Sequence, residues 1–513
     1  MIITANKPAT ITYPQADRWT YLWLALGVIL LTVSTGQFRV AFAAWLAPAF
    51  VIRFFRSQKT GKGYLLALLG LYAAYAISWQ AILGFIGPLP VFLIFNIFIT
   101  LMNSLPYLAD RLLVPHLKGF AATLIYPLAV SGIYYLYNLV SPIGSFGTPG
   151  YEQFSNLALI QLVSITGLWG LTFLVSWCGS IINWAWERSF IWAEVRQGLL
   201  IFAGIVRIVL LFGGLRLALG RSPAGTVRVH SFSREKEQKV EFVDMATDLA
   251  GFRRTSQAQN DLLIEGTLRE AQRGAQIVLW SEMAAGGVEE DVNALIARAK
   301  QVAQQEAIYI AMGLKILYPG QDRPWENKLV MIAPSGEIVI DHDKFGATLL
   351  YSMMGEGEAF QGEYSLKTAS TPYGILTGVV CWDADFPATM RQAGKSNADI
   401  LFVANGEPEG ATATGQLHAQ QHIFRAIENG VSLVRQDGHS GLSVATDPYG
   451  RTLALVDLAN TSQRVMTAQV PTHGVFTLYS VIGDLFGWLA VVGFVFITGL
   501  AIYSARKTNP EAS

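Results

Sequence analysis

The chain of 513 residues reads as a polytopic bundle of about eight transmembrane helices carrying an α/β layered domain. Three observations predict this. Hydrophobic residues make up 52% of the chain and charged residues only 14%, against roughly 25% charged in a soluble globular protein. The 37 basic and 37 acidic side chains cancel, but unevenly: residues 1–225 carry 14 Lys and Arg against 5 Asp and Glu, and residues 226–475 carry 21 against 30. Charge density therefore rises from about 8% to about 20% near residue 225, as expected at a boundary between domains.

The zero balance gives no basic excess for a nucleic-acid partner. Two cysteines exclude a disulfide scaffold and a Cys-based structural zinc site. The division expected is a helical bundle of seven spans over 1–225, an extracytoplasmic domain over 226–475, and a last helix with a cytoplasmic tail over 476–513.

A bilayer core of ~30 Å needs about 20 apolar residues per helix. Runs of that kind lie near Trp19–Ser34, Phe38–Ile52, Tyr64–Ala81, Leu89–Leu105, Gly119–Leu139, Leu157–Trp186 and Gly198–Leu219, with an eighth near Leu478–Ser504. The first two are short and tightly joined, so a single hairpin is the other reading. No cleavable leader is expected, because polar residues precede the first run.

Lys and Arg in short loops set orientation. With the N-terminus cytoplasmic, the inner segments hold Lys7, Arg18, Arg53, Arg56, Lys59, Lys62, Arg111, Lys118, Arg188, Arg196, Arg506 and Lys507, and the outer loops hold Arg39. That places residues 221–477 outside the cytoplasmic membrane. Arg207 falls inside the seventh run, where snorkelling toward the headgroups is the expected role. Cys178 reads as a small buried apolar residue.

In the polar part, strands are expected at Val227–Phe232, Ala275–Trp280, Ile308–Gly313, Lys328–Ala333, Ile338–His342, Leu376–Val380, Asp399–Ala404, Ser432–Arg435 and Leu442–Thr446, with helices at Ser256–Arg273, Asp291–Glu306, Pro387–Ser396 and Gly415–Asn429. This alternation predicts an α/β layered domain.

Three strand ends carry candidate chemistry. Cys381 ends an apolar strand and precedes a helix, a position that exposes the thiol to the positive helix end and favours thiolate; a buried structural cysteine is the alternative. Glu282 follows the strand ending Leu279-Trp280, with Gly286-Gly287 in a loop beyond it. Lys344 follows Ile338–Asp343. Strand ends of one sheet converge on a crevice, where a base, a cation for an oxyanion and a nucleophile would meet.

The order Glu282, Lys344, Cys381, with Asp343-Lys344 and Cys381-Trp382-Asp383-x-x-Phe386-Pro387, resembles the carbon–nitrogen hydrolase (nitrilase) superfamily. Within it, Ser141–Gly147, Gln161–Val175 and Asn183 resemble the membrane half of the apolipoprotein N-acyltransferases. The resemblance implies an αββα sandwich and a Glu-Lys-Cys triad without cofactor or metal. It further implies a membrane phospholipid as acyl donor, a diacylglyceryl apolipoprotein as acceptor and a thioester intermediate. Where the family carries a His-Leu-Val-Pro-Phe-Gly-Glu run after the lysine, this chain reads Phe345–Glu356 differently. Glu356 is the candidate for the family's additional active-site glutamate, with Glu358 the alternative.

The family's Tyr-Glu after the cysteine is Trp382-Asp383 here, and its Asn-Asp-x-Trp run is Asn405-Gly406-Glu407-Pro408. Trp382, Met353 and Met354, with Leu349 and Leu350, are candidates to line the substrate entrance. His418 and His422 lie four apart on one helix with no third ligand evident in the sequence, so helix-face packing is expected. Glycine-rich pieces match no phosphate loop. A membrane-anchored amidase, a non-catalytic scaffold for a membrane partner and a transporter are the alternative functions.

Overall fold

Hydropathy dictates the first half. The computed structural model describes residues 18–58, 61–83, 89–220, 225–233, 245, 247–320, 325–349 and 359–508. Helices α1 (Arg18–Ser34), α2 (Ala41–Ser57), α3 (Gly61–Leu83), α4 (Leu89–Leu113), α5 (Ile125–Val140), α6 (Leu157–Ile160), α7 (Val163–Trp186) and α8 (Trp192–Leu219) precede the polar part. Among the described residues six helical segments are long and apolar enough to cross a membrane: Gly61–Ile82, Leu89–His116, Gly119–Val140, Val163–Trp186, Trp192–Leu219 and Leu485–Lys507. The first two of the eight expected spans are not among these six. They are helices of 17 residues each, about 25 Å long, at the short end of what crosses a ~30 Å core.

α7 is the central and most buried helix of the bundle. Its small residues admit close neighbours, as Gly179 faces Pro48 and Ala49 and Asn183 Nδ2 donates to the Ala49 carbonyl at 2.7 Å, the usual means of helix association in lipid. The expected continuous span Leu157–Trp186 is broken at Gly167, whose φ of +62° only glycine adopts freely. The ring of Tyr479 would stand 2.5 Å from a Cβ there.

The rest alternates strands and helices: β1 (Thr226–Phe232), α9 (Leu249–Gln272), β2 (Ile277–Trp280), β3 (Ala285–Val288), α10 (Glu289–Glu306), β4 (Tyr309–Leu317), β5 (Trp325–Ile332), β6 (Ile338–Asp343), β7 (Thr368–Thr371), β8 (Gly374–Val380), α11 (Pro387–Lys395), β9 (Ile400–Ala404), α12 (Thr412–Asn429), β10 (Ser432–Gln436), β11 (Leu442–Thr446), β12 (Thr452–Asp457) and β13 (Val465–Pro471), then α13 (Leu478–Ile482) and α14 (Leu485–Thr508). One sheet runs β13-β1-β2-β4-β5-β6 with β3 on β4, and the second runs β12-β11-β10-β9-β8-β7.

β2, β9 and β10 are buried at every residue, as expected of strands covered on both faces. The sheets pack together through one apolar core that includes Leu279, Leu329, Met331, Leu376 and Phe402, while α9 and α10 cover the first sheet and α11 and α12 the second, an αββα sandwich. β3, β7, β12 and β13 are additions to the expected set, and the Gly286-Gly287 loop is a strand paired in parallel with β4.

Candidate active site

Two strands of the first sheet deliver the candidate glutamate and lysine. Glu282 lies two residues past β2 and is fixed by its backbone N–H, which donates to the Asn405 carbonyl at 3.2 Å. Lys344 is the first residue past β6, its N–H held by the Asn327 carbonyl at 2.8 Å. Both side chains are buried. Lys344 Nζ donates to Glu282 Oε1 at 2.6 Å, and Asn327 Nδ2 donates to the same oxygen at 2.7 Å.

Cys381 comes from the other sheet. It follows β8, opens a 3-10 turn over Cys381–Asp385 and adopts a φ of +51°, the left-handed region where a non-glycine residue is strained and often functional. The three predicted residues therefore meet across the interface of the two sheets. The expected convergence of neighbouring strands is corrected: β4 and β5 separate β2 from β6. Burial pushes the Cys381 thiol well above its usual range; Glu282 adds to this, and Lys344 opposes it. The expected exposed thiolate is corrected to a buried thiol. The turn after Cys381 is a single 3-10 element, and α11 begins only at Pro387, so the expected helix does not start at the cysteine.

Asp383, which the sequence shows only as a departure from the family's Tyr-Glu pair, holds the turn. Its carboxylate accepts from the N–H of Phe345 at 3.0 Å and of Gly346 at 2.6 Å, from Val380 N–H at 3.1 Å, and pairs with His342 Nε2 at 2.8 Å. One side chain thus ties the chain after Lys344 to the turn of Cys381. Such charge-assisted bonds to backbone are the strong kind.

Trp382, expected at an entrance, is buried, with its ring 4.7 Å from Phe146 and 4.6 Å from His418. It wedges the turn against the membrane half. That contact is reinforced by Ser145, whose N–H donates to the Asp385 carbonyl at 2.8 Å and whose hydroxyl donates to it at 2.9 Å. Met353, Met354, Leu350, Glu356 and Glu358 lie outside the described residues; Leu349 is exposed. Arg207 is exposed on α8, and Cys178 is half-buried.

Behind Cys381 lies a buried set that the sequence did not bring together. A His418 ring nitrogen, a Glu407 oxygen and Cys381 Sγ lie within 4.8 Å of one another. His418 Nδ1 pairs with Glu407 Oε1 at 2.7 Å and Nε2 with Asp385 Oδ2. Burial opposes a charge on His418, yet Asp385 and Glu407 raise its pKa to about 9. The separation of Asp385 from His418 in the chain hid the third member.

Helices on the outer faces of two stacked sheets, with Glu, Lys and Cys at the interface, define a carbon–nitrogen hydrolase fold. The family model described as Carbon-nitrogen hydrolase matches residues 246–475. That described as Apolipoprotein N-acyltransferase N-terminal domain matches residues 26–181. An apolipoprotein N-acyltransferase of Geobacter metallireducens is 22% identical over 520 residues, covering 95% of this chain and 96% of its own length. One of Rhodopseudomonas palustris is 25% identical over 370 residues, covering 66% of this chain and 65% of its own. The crystal structure of an amidase from Nesterenkonia sp. has a TM-score of 0.39 at 19% identity, covering 49% of this chain and 92% of that one. The chain belongs to the apolipoprotein N-acyltransferase family.

Proposed function

We propose that the protein transfers a fatty-acyl group from a membrane phospholipid to the α-amino group of a diacylglyceryl-cysteine at the N-terminus of an apolipoprotein. The observation that carries this is the Lys344–Glu282 pair at 2.6 Å, whose two charges act on a buried, backbone-strained Cys381 in a domain joined to membrane helices. Glu282 takes the thiol proton as sulfur attacks the ester carbonyl. Lys344, with a backbone N–H near Cys381, stabilises the oxyanion. The proton passes to the departing glycerol oxygen, leaving a thioester and a lysophospholipid. The acceptor amine then attacks the thioester, forming the amide and returning the thiol.

In this reading residues 1–225 form the bundle, 226–475 the catalytic domain and 476–513 the closing helix with a cytoplasmic tail. The loop-charge asymmetry supports a catalytic domain on the extracytoplasmic side of the inner membrane. Arg56 contributes less to that asymmetry than its charge suggests, since it is buried against Asp110 and Glu187.

The test uses full-length protein in detergent with phospholipid labelled in one acyl chain. Wild type is expected to hold a hydroxylamine-sensitive label and to pass it to a diacylglyceryl peptide. Release of free fatty acid alone would identify a hydrolase, and a labelled Cys381→Ser enzyme with full transfer would remove Cys381 as nucleophile.

A further inference from the structure

Asp385, His418 and His422 present one oxygen and two imidazole nitrogens within 4.8 Å of one another, all fully buried. Asp385 comes from the turn after β8, and the two histidines stand one helical turn apart on α12, a spacing that turns both rings to one side. Hydrogen bonding within the protein leaves this group incomplete. Among the described residues, neither ring nitrogen of His422 has a hydrogen-bond partner, nor does Asp385 Oδ1. The nearest approach of His422 Nε2 to Asp385 Oδ2 is 3.6 Å, beyond hydrogen-bond range.

Buried polar atoms left unpaired in this way are destabilising, and three of them sit on two side chains facing each other. His418, by contrast, is oriented. Glu407 Oε1 accepts from its Nδ1 at 2.7 Å, which leaves Nε2 to face Asp385. Glu407 is itself held, by Asn405 Nδ2 at 3.2 Å and Arg435 at 3.4 Å.

We propose that Asp385, His418 and His422 bind one divalent transition-metal ion of the zinc class. Two imidazoles and one carboxylate with an open position are a common zinc donor set. The Glu407–His418 bond is the outer carboxylate that a metal-bound histidine usually has. Donors on a tetrahedral zinc stand about 3.3 Å apart, given bonds of about 2.0–2.1 Å, so the His422–Asp385 spacing already suits an ion and the His418–Asp385 contact opens by about 1 Å. Binding releases the proton shared between His418 Nε2 and Asp385. Trp382 and Phe146 close the site on the apolar side. The ion would cross-link the nucleophile turn to α12 without engaging Cys381.

The test is metal uptake by the full-length protein in detergent, read without reference to acyl transfer. Chelator-stripped wild type titrated with cobalt chloride is expected to show the visible d–d bands of four-coordinate cobalt at one equivalent, bleached by one equivalent of zinc sulfate. His422→Ala is expected to lower affinity at least 100-fold, and Glu407→Gln about 10–100-fold. Cys381→Ser is expected to bind as wild type does, with the same spectrum. Melting temperatures of the variants confirm folding, and zinc is expected to raise that of wild type but not of His422→Ala. No cobalt bands in stripped, folded wild type, or bands that survive His422→Ala, would overturn the site. A sulfur-to-cobalt charge-transfer band lost in Cys381→Ser would overturn the donor set.

Discussion

Two buried ion clusters lie in the two halves of this molecule, and their bonding is alike. In the membrane half, Arg56 closes its guanidinium fork on Asp110 at 2.7 and 2.8 Å and on Glu187 at 2.8 Å. In the sandwich, Lys344 meets Glu282 at 2.6 Å. Arginine is a rigid multidentate donor, and its fork is spent on two carboxylates; lysine is a compact point charge on a flexible stem. The second cluster also faces a thiol held at φ +51°. Short charged bonds alone make a staple. They make chemistry when a strained nucleophile is set beside them and its proton has somewhere to go.

Removing the nucleophile separates the clusters most sharply. Cys381→Ala is expected to lower acyl transfer by at least about 10³-fold, measured as labelled N-acyl peptide, with the melting temperature near that of wild type. The same variant sharpens the thiol's character. Its native pKa lies above the unfolded value of about 8.5, so the protonated thiol stabilises fully below that pH and the contribution fades as pH rises toward the native value. Wild type is expected to lose about 1.4 kcal/mol per pH unit across that window relative to Cys381→Ala, read by denaturant titration at pH 8 to 10.

Glu282→Gln keeps an oxygen for Lys344 but cannot take a proton. A fall of about 10²–10⁴-fold in the rate of acyl-enzyme formation is expected, and equal rates for variant and wild type would assign the base elsewhere. Arg56→Met leaves the buried Asp110 and the partly buried Glu187 unpaired and is expected to cost about 3–5 kcal/mol of stability. Transfer per folded molecule should stay the same, and a rate loss at unchanged stability would break the contrast drawn above. Arg207→Gln is the smallest change. The side chain is exposed on α8, so stability should move by no more than about 0.5 kcal/mol and transfer not at all.

Much of this is legible in the sequence. Apolar runs located the helices because lipid demands continuous apolar faces, and Glu282, Lys344 and Cys381 stood out as chemistry-bearing residues at the ends of buried strands. The partition of strands between two sheets was not legible, since β5 and β8 carry similar apolar patterns yet belong to different layers. β13 is hard to see in the sequence because alternate residues face solvent, diluting the apolar signal. Asp385, Glu407 and His418 come from three separate elements, and no spacing in the chain announces a meeting made by packing. Asp383 was visible only as a substitution, because backbone N–H groups, its partners, leave no trace in a sequence.

The loop from α5 to α6 carries one more consequence. Gly144, at φ +57°, lies so near the Asp385 carbonyl that an added Cβ would stand 2.2 Å from it. Ser145 bonds that carbonyl twice, and the Pro142 carbonyl accepts from Ala347 N–H at 3.1 Å. The segment therefore grips the backbone on both sides of the reacting centre, four residues after Cys381 and three after Lys344. In this chain the anchor in the bilayer doubles as one wall of the mould in which the nucleophile is cast, and cutting the sandwich free would remove part of the site along with the membrane.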